Sequence, residues 1–243
     1  MKPFLIIIFT FFMISFVSID DETKQFEVNE LLGKIDPTNH PDFVKIDLVH
    51  TAKKDQYLRK ATYQAFCIMA DSALKDGIKL MIVSAFRSYD NQKKIWNAKW
   101  IGSTKINEVD VGLLYPDPVE RAEKILQYSA MPGSSRHHWG TDIDIYSDEE
   151  SHFKTGEGLK IYQWLSKNAH RFGFCQVYTA DRVFGFEEEQ WHWSYLPTAK
   201  LMLNSFRKQI NYSHFNDFHG AKTAKEVNLI SYYIVMGINP NCK

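Results

Sequence analysis

The chain has 243 residues, 44% of them hydrophobic and 24% charged, which is enough for a sizeable globular domain with a real core. Its 29 basic and 29 acidic residues give a formal net charge of zero. That balance removes any general electrostatic drive toward nucleic acid or anionic lipid, so nucleic-acid binding is set aside.

Lys2 precedes an apolar run over residues 4–17, followed by Ser18 and the acidic Asp20, Asp21 and Glu22. A basic start and an apolar run of about 7–15 residues form a secretory signal pattern, whereas a membrane span needs about 20 residues. Residues 1–18 are therefore expected to be a signal peptide. Phe16 is a poor residue three positions before a cut after Ser18, so an uncleaved anchor is the alternative, and the one route to a membrane. Residues 19–44 read as a polar linker. Leu58, Ala61, Ala65, Met69 and Ala73 recur at helical spacing and predict a helix over residues 55–74, stopped by Gly77. Residues 80–83 predict a buried strand that ends in a polar stretch over 84–92. A second helix is expected from near Asp90, carrying Trp96 and Trp100. Residues 101–116 read as loop. Asp117, Pro118 and Glu120 then mark a sharp helix start.

After Gly140 the pattern alternates. Asp142 and Asp144 face one way and Thr141, Ile143 and Ile145 the other, as in a short strand with one polar face. Residues 156–173 predict a helix, 174–177 a strand, and 191–195 another strand beside the one carrying Asp142 and Asp144. Helices over 198–210 and 223–236 close the chain, with Thr223 and Glu226 as a capping box. The fold class is α+β, a small and mostly antiparallel sheet flanked by helices. A catalytic domain is expected over 45–205 and a helical extension over 206–243, packed on the core through Val227, Ile230 and Ile234. Of the three cysteines, Cys67 reads as a small core hydrophobe, and Cys175 with Cys242 is the candidate disulfide pair. No Cys-x-x-Cys pair exists, so a thiolate zinc site has no support.

Two short clusters carry the chemistry. Residues 135–144 hold Ser135, His137, His138, Gly140, Asp142 and Asp144, and residues 189–195 hold Glu189 and His192. A catalytic zinc site uses three protein ligands and keeps one position open for water. His137, Asp144 and His192 supply such a set, with Gly140 allowing the tight turn between the first two. Glu189, three residues before His192, is placed to act as a base. Arg87, at the end of a predicted strand, is a fixed cation for a substrate carboxylate or a developing oxyanion. On the residues alone, His138 competes with His137, Asp142 with Asp144, and Glu187 and Glu188 with Glu189. Trp139, Trp191 and Trp193 are candidates for site walls or for core.

Three ordered motifs resemble the VanY-type zinc D-Ala-D-Ala carboxypeptidases, a metallopeptidase group that also includes VanX, LD-carboxypeptidases and phage endolysins. Ser135-x-His137-x-x-Gly140-x-Asp142-x-Asp144 matches the family pattern Ser-x-His-x-x-Gly-x-Ala-x-Asp except at Asp142. Glu189-Gln190-Trp191-His192 matches Glu-x-Trp-His, and Ser84 to Gln92 is similar to the family's Ser-x-Tyr-Arg-Ser segment. The resemblance spans residues 45–200. It implies that His137, Asp144 and His192 hold Zn2+, that Glu189 is the general base, and that Arg87 contacts substrate or transition state. Ser135 and Gln92 become substrate-pocket residues. It further implies an enzyme acting on peptidoglycan stem peptides, and the signal pattern independently agrees with an exported protein of the periplasm or cell envelope; a monomer is expected. The rivals are an L,D-carboxypeptidase, a peptidoglycan endopeptidase, and a non-catalytic wall-binding module. Asp142, standing where the family has Ala, either orients a histidine or alters the pocket.

Overall fold

The computed structural model describes residues 26–243, so the expected signal peptide lies outside the described residues. In chain order the elements begin with α1 (Val28–Leu31), β1 (Phe43–Lys45), β2 (Tyr57–Arg59), α2 (Lys60–Lys75), β3 (Ile82–Ser84) and α3 (Tyr89–Trp100). Then come α4 (Val111–Leu114), α5 (Pro118–Leu126), β4 (Asp142–Ile145), α6 (Gly156–Asn168) and β5 (Phe174–Gln176). The last are β6 (His192–Tyr195), α7 (Leu196–Gln209) and α8 (Thr223–Glu226). The fold is α+β, as expected. Strands β3, β4, β6 and β5, in that spatial order, form one antiparallel sheet, and β1 and β2 form a separate hairpin.

Period-two alternation divides the sheet into two unlike faces. Ile82, Ile143, Ile145 and Trp193 join Phe66 and Met69 of α2 and Ile161 and Leu165 of α6 in one buried cluster. Asp142, Asp144, His192 and Ser194 belong to the opposite face. A second cluster gathers Trp96, Trp139 and Phe206, and the tail adds Phe215, Val227, Leu229, Ile234 and Ile238 to it.

Side-chain caps explain the starts of α3, α4 and α5. Ser88 accepts the Asn91 N–H (3.3 Å) and caps α3. Asp117 accepts the Val119 and Glu120 N–H groups, with Pro118 in the first turn of α5. Elsewhere the structure departs from expectation. The helix predicted from residue 55 begins only at Lys60, because Tyr57–Arg59 pairs with β1. Its buried face runs through Thr62, Phe66, Met69 and Ala73, and Ala61 is exposed. The helix predicted over 223–236 breaks after Glu226 and continues as a π turn over Ile230–Val235. Thr223 is not its cap, since its hydroxyl donates back to the Gly220 carbonyl (2.8 Å). Within the stretch read as linker, Phe26, Leu31 and Leu32 are buried, and the Trp139 indole N–H donates to the Leu31 carbonyl (3.1 Å). Cys175 and Cys242 are joined in a disulfide, with Cα atoms 5.8 Å apart. Cys67 is free and only half-buried.

Candidate metal centre

A single 3-10 turn, Arg136–Trp139, delivers His137 to the polar face of the sheet. It ends at Gly140, which has φ +68°, and a Cβ there would meet the Phe43 ring at 2.5 Å. Strand β4 then carries Asp144 directly opposite His192 of β6. One ligand atom from each of His137, Asp144 and His192 lies within 4.8 Å of the others, and all three residues are buried. His137 Nε2 is 3.2 Å from one Asp144 oxygen, and His192 Nδ1 is 3.2 Å from the other.

The outward nitrogens define the tautomers. His137 Nδ1 meets the Ala85 carbonyl at 2.8 Å, and His192 Nε2 meets an Asp142 oxygen at 2.9 Å. Both partners are pure acceptors, so each histidine donates outward and turns a lone pair inward. Asp144 Oδ1 is buried and has no hydrogen-bond partner. Two nitrogen lone pairs and a carboxylate converging on one point repel one another unless a proton or a metal cation lies between them. The donor set of two imidazoles and one carboxylate therefore fits zinc with one position left open.

Asp142 is fully buried and heavily bonded. It accepts from Arg136 Nε (2.7 Å), Thr141 Oγ1 (2.7 Å), Ser194 Oγ (2.8 Å) and His192 Nε2. Burial opposes its charge, but the Arg136 guanidinium and His192 outweigh burial and hold its carboxyl well below the usual range. Burial likewise opposes an imidazolium at His192. Asp142, Asp144 and Glu189 together prevail and raise its pKa well above the ordinary value, so without a metal a proton on the inward Nδ1 takes the place that a cation would fill. His138 has a different task. Its Nε2 accepts the Gly133 N–H (3.1 Å), so its Nδ1–H donates to the Arg87 carbonyl (2.6 Å). Burial pushes its pKa down to about 3, which keeps the ring neutral.

A cavity of about 310 Å³ opens beside the ligands. Its walls include Glu189, Arg87, Ser135, Trp191, Tyr178 and Lys99. Glu189 Oε2 is 3.3 Å from His192 Nδ1, while its backbone is pinned by an N–H bond to the Tyr178 carbonyl (3.0 Å) and by the Gln176 amide (3.2 Å). Gln92 is not part of the cavity wall. It is fully buried, accepts Arg87 Nη1 (2.9 Å) and donates to the Ala130 carbonyl (2.7 Å), so it touches Arg87 rather than open space. Trp139 and Trp193 lie in the core, leaving Trp191 as the tryptophan on the cavity wall. Arg136, Tyr178 and Lys99 were missed by sequence reasoning. Only Arg136 left a signal, because a strand with two acids on a buried face requires a nearby cation.

A family model described as VanY, D-alanyl-D-alanine carboxypeptidase, matches residues 55–198, which is more than half of the chain. The chain belongs to this family. It is 31% identical over 146 residues to the YodJ protein of Bacillus subtilis (strain 168), covering 58% of this chain and 47% of that one. It is 30% identical over 128 residues to a D-alanyl-D-alanine carboxypeptidase of Enterococcus faecalis (strain ATCC 700802 / V583), covering 52% and 43%. The chain thus spans less than half the length of these two curated relatives. Among solved structures, the LdcB LD-carboxypeptidase superposes with a TM-score of 0.51 at 25% identity, covering 70% of this chain and 74% of that chain. VanYB in complex with D-alanine-D-alanine shares the fold, with a TM-score of 0.50 at 20% identity over 75% of this chain and 92% of that chain. The His137, Asp144 and His192 triad is consistent with the zinc site typical of this family.

Proposed function

We propose that this protein is an exported zinc carboxypeptidase that hydrolyses the terminal D-Ala-D-Ala amide of peptidoglycan stem peptides. The observation that carries this is the inward-facing lone-pair set of His137, Asp144 and His192, with Glu189 3.3 Å from one ligand on the open cavity side. Zinc held by His137, Asp144 and His192 would supply Lewis acidity and lower the pKa of water to near neutral. Glu189 takes the proton of the attacking water and hands it to the leaving amine. Arg87, locked by Gln92 and Ser84, faces the negative charge that develops on the scissile carbonyl oxygen. Ser135 lines the same cavity and is a substrate-pocket residue in this reading. Membership of the family implies an extracytoplasmic site of action. The Cys175–Cys242 disulfide supports that location, since such bonds persist in oxidising compartments.

The likeness to an LD-carboxypeptidase sustains a second reading, in which the same metal chemistry removes D-alanine from a tetrapeptide. Mass analysis after incubation with defined pentapeptide and tetrapeptide stems separates the two. The D,D reading requires loss of one D-alanine from the pentapeptide, abolished by a chelator and restored by zinc. Release from the tetrapeptide alone would shift the assignment to L,D cleavage, and release from neither would reject both. Glu189→Gln is expected to keep zinc while turnover falls by about 10²–10⁴-fold. Full activity in that variant would remove Glu189 from the mechanism.

A further inference from the structure

The cavity beside the metal ligands contains two cations that no carboxylate neutralises among the described residues. Arg87 donates to Gln92 Oε1 (2.9 Å) and Ser84 Oγ (3.1 Å). Lys99 of α3 is half-buried and donates its Nζ to Ser129 Oγ. Every one of these partners is neutral. Among the described residues, Arg121 and Arg182 likewise donate to neutral partners, backbone carbonyls, whereas the two buried arginines are paired with carboxylates. Arg136 is bonded to Asp142, and Arg59 to Glu30 and Asp42. Glu189 and Asp148 line the same cavity as Lys99, but neither is within ion-pair distance of it.

Two hydrogen-bonded links fix these cations along one wall. Gln92 ties Arg87 to the Ala130 carbonyl, and the adjacent Ser129 holds Lys99. A partly withdrawn ammonium with no carboxylate in direct contact is costly. Burial, and then the neighbouring Arg87, push the Lys99 pKa down, and the more distant charges of Glu189 and Asp148 offset this only in part. An anion entering the cavity relieves both costs at once.

Building on the carboxypeptidase reading, we propose that Lys99 is the anchor for the free C-terminal carboxylate of the peptide, placed on the cavity wall beside Arg87. A terminal carboxylate completes the charge balance there. An amide that continues the chain leaves the ammonium uncompensated, so Lys99 selects chain ends over internal bonds. The same residue thus disfavours endopeptidase action. Lys99 lies outside the three family motifs, and its place on the wall is set by the packing of α3 against α5.

The test is a calorimetric titration of the zinc-loaded full chain carrying Glu189→Gln, so that bound peptide is not consumed. The ligands are the stem pentapeptide L-Ala-D-isoGlu-L-Lys-D-Ala-D-Ala as the free acid and as its C-terminal amide. The acid is expected to bind about tenfold or more tightly than the amide. Adding Lys99→Met should erase that preference by weakening the acid alone, and Lys99→Arg should retain most of it. Equal weakening of acid and amide would move Lys99 to an internal carboxylate of the stem and overturn the proposal. So would an unchanged preference in Lys99→Met, loss of the preference in Lys99→Arg, or no preference in the parent. The outcome is separable from that of the parent reading. A wild-type protein that releases D-alanine from no stem refutes the carboxypeptidase, yet an acid preference that vanishes with Lys99 still establishes the carboxylate subsite.

Discussion

Asp142 has no exposed surface, yet it carries a formal charge on the sheet face that also carries the metal ligands. Two facts make that tolerable. Arg136, six residues earlier in the same loop-and-strand unit, neutralises it through a 2.7 Å contact, and Ser194 and Thr141 fill its remaining lone pairs. In return it fixes the His192 ring so that Nδ1, not Nε2, faces the centre. Asp142→Asn keeps an oxygen for the His192 N–H but loses the charge, and zinc affinity measured by chelator competition is expected to fall about 10–100-fold. Asp142→Ala strands the Arg136 guanidinium and should cost about 3–5 kcal/mol in thermal or urea unfolding. The double variant Asp142→Ala/Arg136→Met removes both charges and should regain most of that stability without regaining zinc affinity. Parent-like zinc binding in the double variant would show that Asp142 does not orient the ligand.

Between β4 and the preceding 3-10 turn, geometry depends on register. Asp144 opposes His192 and Asp142 opposes Ser194, so a slip of one residue would swing every polar side chain into the apolar layer formed by Ile143, Ile145 and Trp193. Gly140 sets where the strand begins. Its left-handed backbone costs an L-residue about 1–2 kcal/mol, and Phe43 of β1 closes the space a methyl group would need. Gly140→Ala is therefore expected to lower the melting temperature by roughly 2–8 °C, with the zinc-free protein affected as much as the loaded one. These elements were legible in the sequence because their chemistry is contiguous. Alternating acids over 142–145, a glycine between His137 and Asp144, and the Glu189-to-His192 spacing each act within a few residues. The start of α2 was not legible, since Leu58 continues the helical spacing while belonging to a strand. Lys99 and Tyr178 could not be placed from sequence either, because the packing of α3 and the loop after β5 alone bring them to the cavity.

Across the described residues there are two hydrophobic clusters, and the tail belongs to the one that also holds Trp139 and Tyr178. Strand β5 is an edge of the main sheet, and its far side is closed by the chain end rather than by another strand. Asn239 donates its backbone N–H to the Val177 carbonyl (2.8 Å) and its side-chain amide to the Gln176 carbonyl (3.0 Å). The disulfide then locks Cys242 to Cys175 across a sequence separation of 67 residues. Val177 leads directly into Tyr178, whose ring centroid is 4.8 Å from that of His192 and whose carbonyl holds Glu189. The tail therefore buttresses the wall from which the expected base projects. Closing a loop of this length contributes about 4 kcal/mol by restricting the unfolded chain. For a domain of this size that corresponds to roughly 8–16 °C in melting temperature. Cys242→Ser, or reduction of the wild type, should produce a loss in that range, whereas Cys67→Ser should leave the melting curve where it was. Reduced and oxidised protein melting together would mean that the packing of Phe215, Val227 and Ile234 alone fastens the tail.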